Sequence, residues 1–256
     1  MKSEPPLGRR LKRRIESLPN RLGIKSLWPG SFLASIPDRY VSNASKAIER
    51  SGWAQFQHTA AFLHGNVANN SGDLARFYLF NLIFEQIMKE RLEGDLAELG
   101  VYKGNTAALL ASFGRRTAKS TYLFDTFQGF SEKDIRGVDA GKRLEFADTS
   151  LEAVKRLVGT DRVNYVVGHF PESARDMPRD LAFSLVHLDC DLYAPMKAGL
   201  EYFYPRVVSG GFLVIHDYAS LHWDGAERAV DEFLADKRER VVPIPDKAGT
   251  AVLRKF

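Results

Sequence analysis

A chain of 256 residues with 45% hydrophobic content is long enough for one full core plus an extension, and its composition excludes a disordered or collagen-like polymer. Its single cysteine, Cys190, excludes an intramolecular disulfide framework and a thiolate metal cage, which favours a reducing, cytoplasmic location. The net charge of +4 is unevenly placed: residues 1–25 carry eight Lys/Arg against Glu4 and Glu16, or +6, which leaves −2 for the remainder.

That basic arm has no interleaved aromatics and no nucleic-acid motif, so a solvated tail or an oligomer contact is expected and a nucleic-acid partner is not. No apolar h-region follows it, and no run reaches the ~18 apolar residues that a membrane span needs. From Pro5 to about Asn70, Pro, Gly and Ser mix with isolated aromatics (Trp28, Phe32, Tyr40, Trp53, Phe56, Phe62), which predicts an irregular, partly helical cap. The expected division is an extension over residues 1–72 and a main domain over residues 73–256. Asp73 is placed to N-cap a helix whose Phe77, Phe80, Phe84, Ile87 and Met88 share one face and whose stop is Gly94.

After Gly94, short apolar runs alternate with helical stretches: DLAELG, NTAALLASFG, TYLFD, SLEAVKRLVG, RVNYVVG, FSLVHLD, APMKAGLEYFYP, GFLVIHD, GAERAVDEFLADK, VVPI and TAVLRKF. This alternation predicts an α/β fold with a largely parallel sheet covered by helices on both faces. Ligands of such sheets sit outside the carboxyl ends of the strands, near the switch in strand order.

The first strand runs into Glu98-Leu99-Gly100-Val101-Tyr102-Lys103-Gly104, with Asn105 and Thr106 opening a helix. A dinucleotide turn, G-x-G-x-x-G, needs bare backbone where Tyr102 stands, which disfavours a nicotinamide-dependent oxidoreductase. S-adenosylmethionine carries no phosphate; it needs a tight turn, a donor-rich helix N-terminus for its carboxylate and an acid for its ribose. E-x-G-x-x-x-G supplies the turn with Glu98 beside it, and Asp125, at the tip of the second strand, supplies the ribose acid.

Two later strands end in polar clusters, Asp189-Cys190-Asp191 and His216-Asp217, on the same rim. Asp189 and Asp191 have a plainer reading as caps of the helix near Ala194. His187, inside an apolar run, reads as structural. His169 falls at the tip of the third strand, either near an adenine or merely on the rim; His58, His64, His222 and Trp223 are candidates to approach an acceptor. The insertion Phe127–Asp148 is too polar for core and is read as a lid, with a loose surface loop as the alternative.

Residues 95–256 resemble the class I methyltransferases, and more closely the macrocin O-methyltransferase (TylF/MycF/NovP-like) family, which methylates sugar hydroxyls of macrolide and aminocoumarin antibiotics. The blocks that carry the resemblance are ELGVYKG, FDTFQGF, LDCDLY with its following helix, SGGFLVIHDY and GAERAVDEF. It implies a Rossmann-like class I methyltransferase fold with a seven-stranded, mostly parallel sheet, and a possible homo-oligomer with exchanged N-terminal segments. It also implies a magnesium ion held by aspartates at the positions of Asp189, His216 and Asp217, with Asp191 as base. Here His216 replaces an aspartate, and magnesium binds imidazole poorly. Two outcomes stay open: a metal tolerant of mixed nitrogen and oxygen ligands, or no metal, with His216 itself assisting as base or donor. The expected function is transfer of a methyl group to a hydroxyl of a sugar, glycosylated metabolite or glycan precursor; a non-catalytic, methyltransferase-like binding module is the alternative.

Overall fold

The computed structural model describes residues 73–256; the expected cap over residues 1–72, with its aromatics and with His58 and His64, lies outside the described residues. The first described element, α1 (Leu74–Glu90), is capped as expected: the Asp73 carboxylate accepts from the backbone N–H of Arg76 at 3.4 Å. It stops before Gly94 because Arg91 itself turns left-handed (φ 55°), and the N–H of Leu92 then returns to the Ile87 carbonyl at 3.0 Å. Phe77, Phe80, Phe84 and Ile87 are fully buried, whereas Met88, expected on the same face, is 39% exposed. In the last turn Ile87 points at the sheet, and Met88 stands ~100° further round the helix.

The sheet contains β1 (Asp95–Leu99), β2 (Thr121–Asp125), β3 (Val163–Val167), β4 (Phe183–Leu188), β5 (Val207–Ile215), β6 (Val242–Pro243) and β7 (Ala251–Arg254) in the order β3-β2-β1-β4-β5-β7-β6. β1 to β5 run parallel, and β7 is antiparallel to both of its neighbours. The chain works outward from β1 to β3 and returns to β4, so the switch in strand order lies between β1 and β4.

Helices α2 (Asn105–Thr117), α3 (Leu151–Val158), α4 (Tyr193–Phe203) and α5 (Asp224–Leu234) complete the layers. Side chains alternate across the strands. Leu96, Leu185 and Val214 meet α1 and α2, where Phe84 stacks on Phe113 with ring centroids 4.2 Å apart. Ala97, Val186, Leu188 and Leu213 meet α4 and α5 on the opposite face. All six residues of β4 are buried, as a strand covered on both faces requires.

Removing the Phe84 ring would leave a void beneath α1 and strip Phe113 of its stacking partner. Phe84→Ala is expected to lower the unfolding free energy by about 3–5 kcal/mol. Met88→Ala should change it by less than ~0.5 kcal/mol, with urea denaturation as the measurement for both.

Candidate active site

The turn after β1 is built against the tip of β4. Gly100 has φ 87°, and a Cβ there would lie 1.8 Å from the Asp189 carbonyl oxygen, so no other residue fits. The strands around it are pinned by backbone bonds from Gly100 to the Phe124 carbonyl at 3.0 Å and from Asp189 to the Leu99 carbonyl at 2.8 Å. Gly104 is the N-cap residue of α2. Tyr102 turns left-handed (φ 49°), and its phenol donates to Asp148 at 2.6 Å. A side chain anchored at this place works against the nicotinamide reading, since a pyrophosphate needs the backbone bare.

Asp125 ends β2 beside this turn. Its Oδ2 accepts the N–H groups of Val101 and Tyr102 at 2.6 and 2.9 Å, and its Oδ1 accepts that of Phe127 at 2.6 Å. A carboxylate offers about four acceptor positions, so Asp125 shapes the turn and keeps roughly one position open. Asn105 and Thr106 open α2 nearly buried, and Asn105 Oδ1 is a buried acceptor without a partner in the protein.

Glu98, expected beside a cofactor, is 1% exposed at the floor of the cavity, with Oε1 2.8 Å from His187 Nδ1. Burial pushes the Glu98 carboxyl well up and takes the His187 imidazole down to about 3. The pair is therefore a neutral hydrogen bond, in keeping with the structural reading of His187.

The acidic tips of β4 and β5 meet side by side, because the His216 N–H donates to the Leu188 carbonyl at 2.8 Å. His216 Nδ1 lies 2.7 Å from Asp189 Oδ1 and 2.5 Å from Asp217 Oδ2. Arg76, on α1, donates to Asp189 Oδ2 at 3.1 Å. Asp191 and Asp217 both sit in the left-handed region (φ 59° and 62°), a conformation that costs a non-glycine residue energy and recurs at functional sites. Burial opposes the charged forms of Asp189 and His216, but each stabilises the other's charge. The Asp189 carboxyl is held well below the usual range, and the His216 imidazole is raised to about 10. Burial, then the neighbouring Asp217 and Asp189, push Asp191 well up.

Neither Asp189 nor Asp191 caps α4. Its N-cap position is Leu192, and the Tyr193 N–H goes instead to Asp139 Oδ2 at 2.7 Å, which overturns the capping reading. Asp139 belongs to the 127–148 insertion and is fully buried; a Cβ on Gly225 would come within 2.5 Å of it. The insertion is thus packed against α4 and α5. Lys142 adds a bond to the His222 carbonyl and lies 4.6 Å from the Trp223 ring centre.

One cavity of about 450 Å³ joins these parts, lined at one end by Gly100, Asp125 and Asn105 and at the other by Asp189, Asp191 and Asp217. Phe130, Phe146 and Trp223 form an aromatic wall, with Phe130 5.0 Å from Phe146 and 5.7 Å from Trp223 between ring centres. His222 only edges onto Trp223. His169 also lines the cavity, its ring nitrogens 2.8 Å from Asp134 and 3.0 Å from Glu172. Arg76 and Asp139 escaped the sequence reading. Arg76 precedes the apolar stripe of α1 as one charged residue among many, and Asp139 lies in a polar segment without periodicity.

Asp189, His216 and Asp217 are the one group of converging metal-ligand side chains among the described residues, with donor atoms within 4.8 Å of one another. Their spacing, however, is that of hydrogen bonds. Octahedral ligands ~2.1 Å from a magnesium ion lie about 3 Å apart, whereas Nδ1 of His216 is closer than that to both carboxylates, and Asp189 also holds Arg76. As arranged, the cluster does not fit a magnesium ion.

The sequence model of the family described as Macrocin-O-methyltransferase (TylF) matches residues 66–251. The chain belongs to this family. Among curated proteins it is similar to an 8-demethyl-8-(2,3-dimethoxy-alpha-L-rhamnosyl)-tetracenomycin-C 4'-O-methyltransferase of Streptomyces olivaceus, at 28% identity over 60% of this chain and 64% of that protein. It is also 28% identical to a mycinamicin III 3''-O-methyltransferase of Micromonospora griseorubida, over 52% of this chain and 59% of that protein. The match thus spans just under two thirds of these relatives' length. Among solved structures, the O-methyltransferase NovP superposes with a TM-score of 0.62 over 71% of this chain and 80% of NovP, at 23% identity. The calicheamicin methyltransferase CalS11 superposes with a TM-score of 0.63 over 89% of this chain and 98% of its own, at 19% identity. The fold is the expected Rossmann-like class I methyltransferase fold with a seven-stranded, mostly parallel sheet.

Two expected outcomes follow from this geometry. Asp139→Ala removes the acceptor for the first N–H of α4 and should cost about 1–2 kcal/mol of stability in thermal or urea unfolding. Burial lowers the His169 value, but Glu172 and Asp134 together raise it above the ordinary 6.5. Its contribution is therefore full below pH 6.5 and is lost as pH rises through the folded value. The stability difference between wild type and His169→Gln should be small, at most about 1 kcal/mol for so exposed a pair, and should vanish on the alkaline side.

Proposed function

We propose that this chain is an S-adenosylmethionine-dependent O-methyltransferase acting on a hydroxyl of a sugar or glycosylated metabolite. The observation that carries this reading is the single cavity linking the Gly100 turn and Asp125 to the tips of β4 and β5. Its volume falls in the range of small-molecule sites. The residues present suit the cofactor: the unpartnered Asn105 Oδ1, the N-terminus of α2 and the remaining acceptor position on Asp125. Family membership and the sugar-methylating activities named for its relatives point the same way.

When bound, S-adenosylmethionine supplies an electrophilic methyl group on a sulfonium. The chain's own task is to hold an acceptor hydroxyl in line with that carbon and to take its proton. Transfer of that methyl to the acceptor oxygen, with the bonding electron pair left on sulfur, would free the hydroxyl proton, and the Asp191 carboxylate would take it. A raised value strengthens Asp191 as a proton acceptor, the direction that general-base work requires. The positive groups beside it, Arg76 and His216, favour charge developing on the oxygen. Phe130, Phe146 and Trp223 offer apolar faces against which a sugar ring can lie.

Calorimetric titration with S-adenosylmethionine tests the reading: saturable binding is expected in the wild type and loss of it in Asp125→Ala. Asp191→Asn should bind the cofactor like wild type yet release S-adenosylhomocysteine from a glycoside panel about 10²–10⁴-fold more slowly. A wild-type chain that does not bind the cofactor would reject the assignment.

A further inference from the structure

We infer that the acidic tips of this chain work without a divalent cation, the His216 imidazole and the Arg76 guanidinium taking the places that a metal and its waters would fill. The inference deepens the methyl-transfer reading, because it concerns what holds charge at that same site.

Each carboxylate that faces the tips is already engaged. Asp189 Oδ1 meets His216 Nδ1 at 2.7 Å, and Asp189 Oδ2 meets the Arg76 guanidinium at 3.1 Å. Asp217 Oδ2 meets the same His216 nitrogen at 2.5 Å. The His216 nitrogen is therefore a central donor between two strand tips, the position from which a cation would draw Asp189 and Asp217 together. An ion inserted there would have to push Asp189 and Asp217 apart from the ring and face Arg76 as a like charge. Arg76 cannot readily withdraw, since it is 7% exposed on α1 with its guanidinium 5.6 Å from the Phe77 ring centre at the cavity wall. A hard cation such as magnesium gains little from imidazole in exchange for those displacements.

The two tasks of a cation at such a site pass to side chains. Holding the tips in register falls to His216, which bonds both. Supplying positive charge near the acceptor oxygen falls to His216 and Arg76 jointly, fixed groups of the kind that stabilise developing negative charge. His216 and Arg76 are thus positioning residues, acting through Asp189 and Asp217.

The test needs no acceptor and uses the full chain. Elemental analysis of protein purified without chelator should find metal far below one ion per chain, and calorimetric titration with manganese or magnesium chloride should show no saturable binding. His216→Asp restores a third carboxylate and should bind manganese at least about tenfold more tightly than wild type, since oxygen donors suit such ions, with a melting temperature that rises on addition of the ion. Stoichiometric metal in the wild type, or saturable manganese binding that Asp189→Ala abolishes, overturns the inference. A folded His216→Asp chain that still ignores manganese overturns the role given to His216; should that variant not fold, the wild-type metal content and titration decide alone. S-adenosylmethionine binding measured in parallel separates the two readings, because its absence would remove the methyl-transfer assignment and leave the metal result standing.

Discussion

Gly100 and the Asp189 carbonyl lie in such close contact that the turn after β1 and the tip of β4 form one piece. Bare backbone on one side allows the Leu99 carbonyl to take the Asp189 N–H, and the neighbouring bond from His216 to Leu188 brings β5 level with both. Parallel register therefore sets the distance between the turn after β1 and the acidic tips before any ligand enters. A methyl group needs its acceptor in line, and fixed geometry of this kind is worth up to ~7–11 kcal/mol of barrier in favourable cases. Were Gly100 to carry a side chain, the turn and the tip would have to part, and alignment would fail together with packing.

The second constraint is charge. Glu98, Asp189, Asp191 and Asp217 converge in a small volume where desolvation penalises every carboxylate. The chain resolves this in layers. Deepest, Glu98 and His187 are neutral and share one hydrogen bond. Above them, Asp189 keeps its charge because Arg76 and His216 face its two oxygens. Beside them, burial and then Asp217 and Asp189 push the Asp191 value well up, so its ionised form is the more strongly basic. Replacing such a set by apolar residues would often leave a fold as stable or more so, which argues that the cluster exists for chemistry.

Much of this was legible in the sequence, for identifiable reasons. Period-two and period-3.6 patterns set every strand and helix after Gly94, since burial on a two-faced sheet leaves little latitude. The rim positions of Asp125, Asp189, Asp191, His216 and Asp217 followed from their places at strand ends. What escaped were contacts between segments distant in sequence. Arg76 meets Asp189 across 113 residues, and Asp139 meets Tyr193 across 54; neither leaves a local pattern. The two bonds that Asp125 takes from the turn, from the N–H groups of Val101 and Tyr102, were hidden likewise, because one of the turn's left-handed residues is a tyrosine that the sequence shows only as a departure from glycine. Met88 shows the opposite failure, a residue with the right period that stands ~100° round the helix from Ile87, off the sheet.

The insertion after Asp125 links these themes. Its polarity suggested a mobile lid, yet its one buried carboxylate, Asp139, ties it to the first turn of α4 and to the close approach of Gly225 on α5. α4 begins two residues after Asp191, so the group that caps this helix also fixes the backbone from which the proposed base projects. The same insertion contributes Phe130 and Phe146 to the aromatic wall and Asp134 to His169. The aromatic wall, the proposed base and the helix start are therefore parts of one packed unit, and if an acceptor binds there its affinity need not be spent on ordering a loop. Under the proposed function, the shape of the Phe130, Phe146 and Trp223 surface is the part of the wall that would discriminate one acceptor from another.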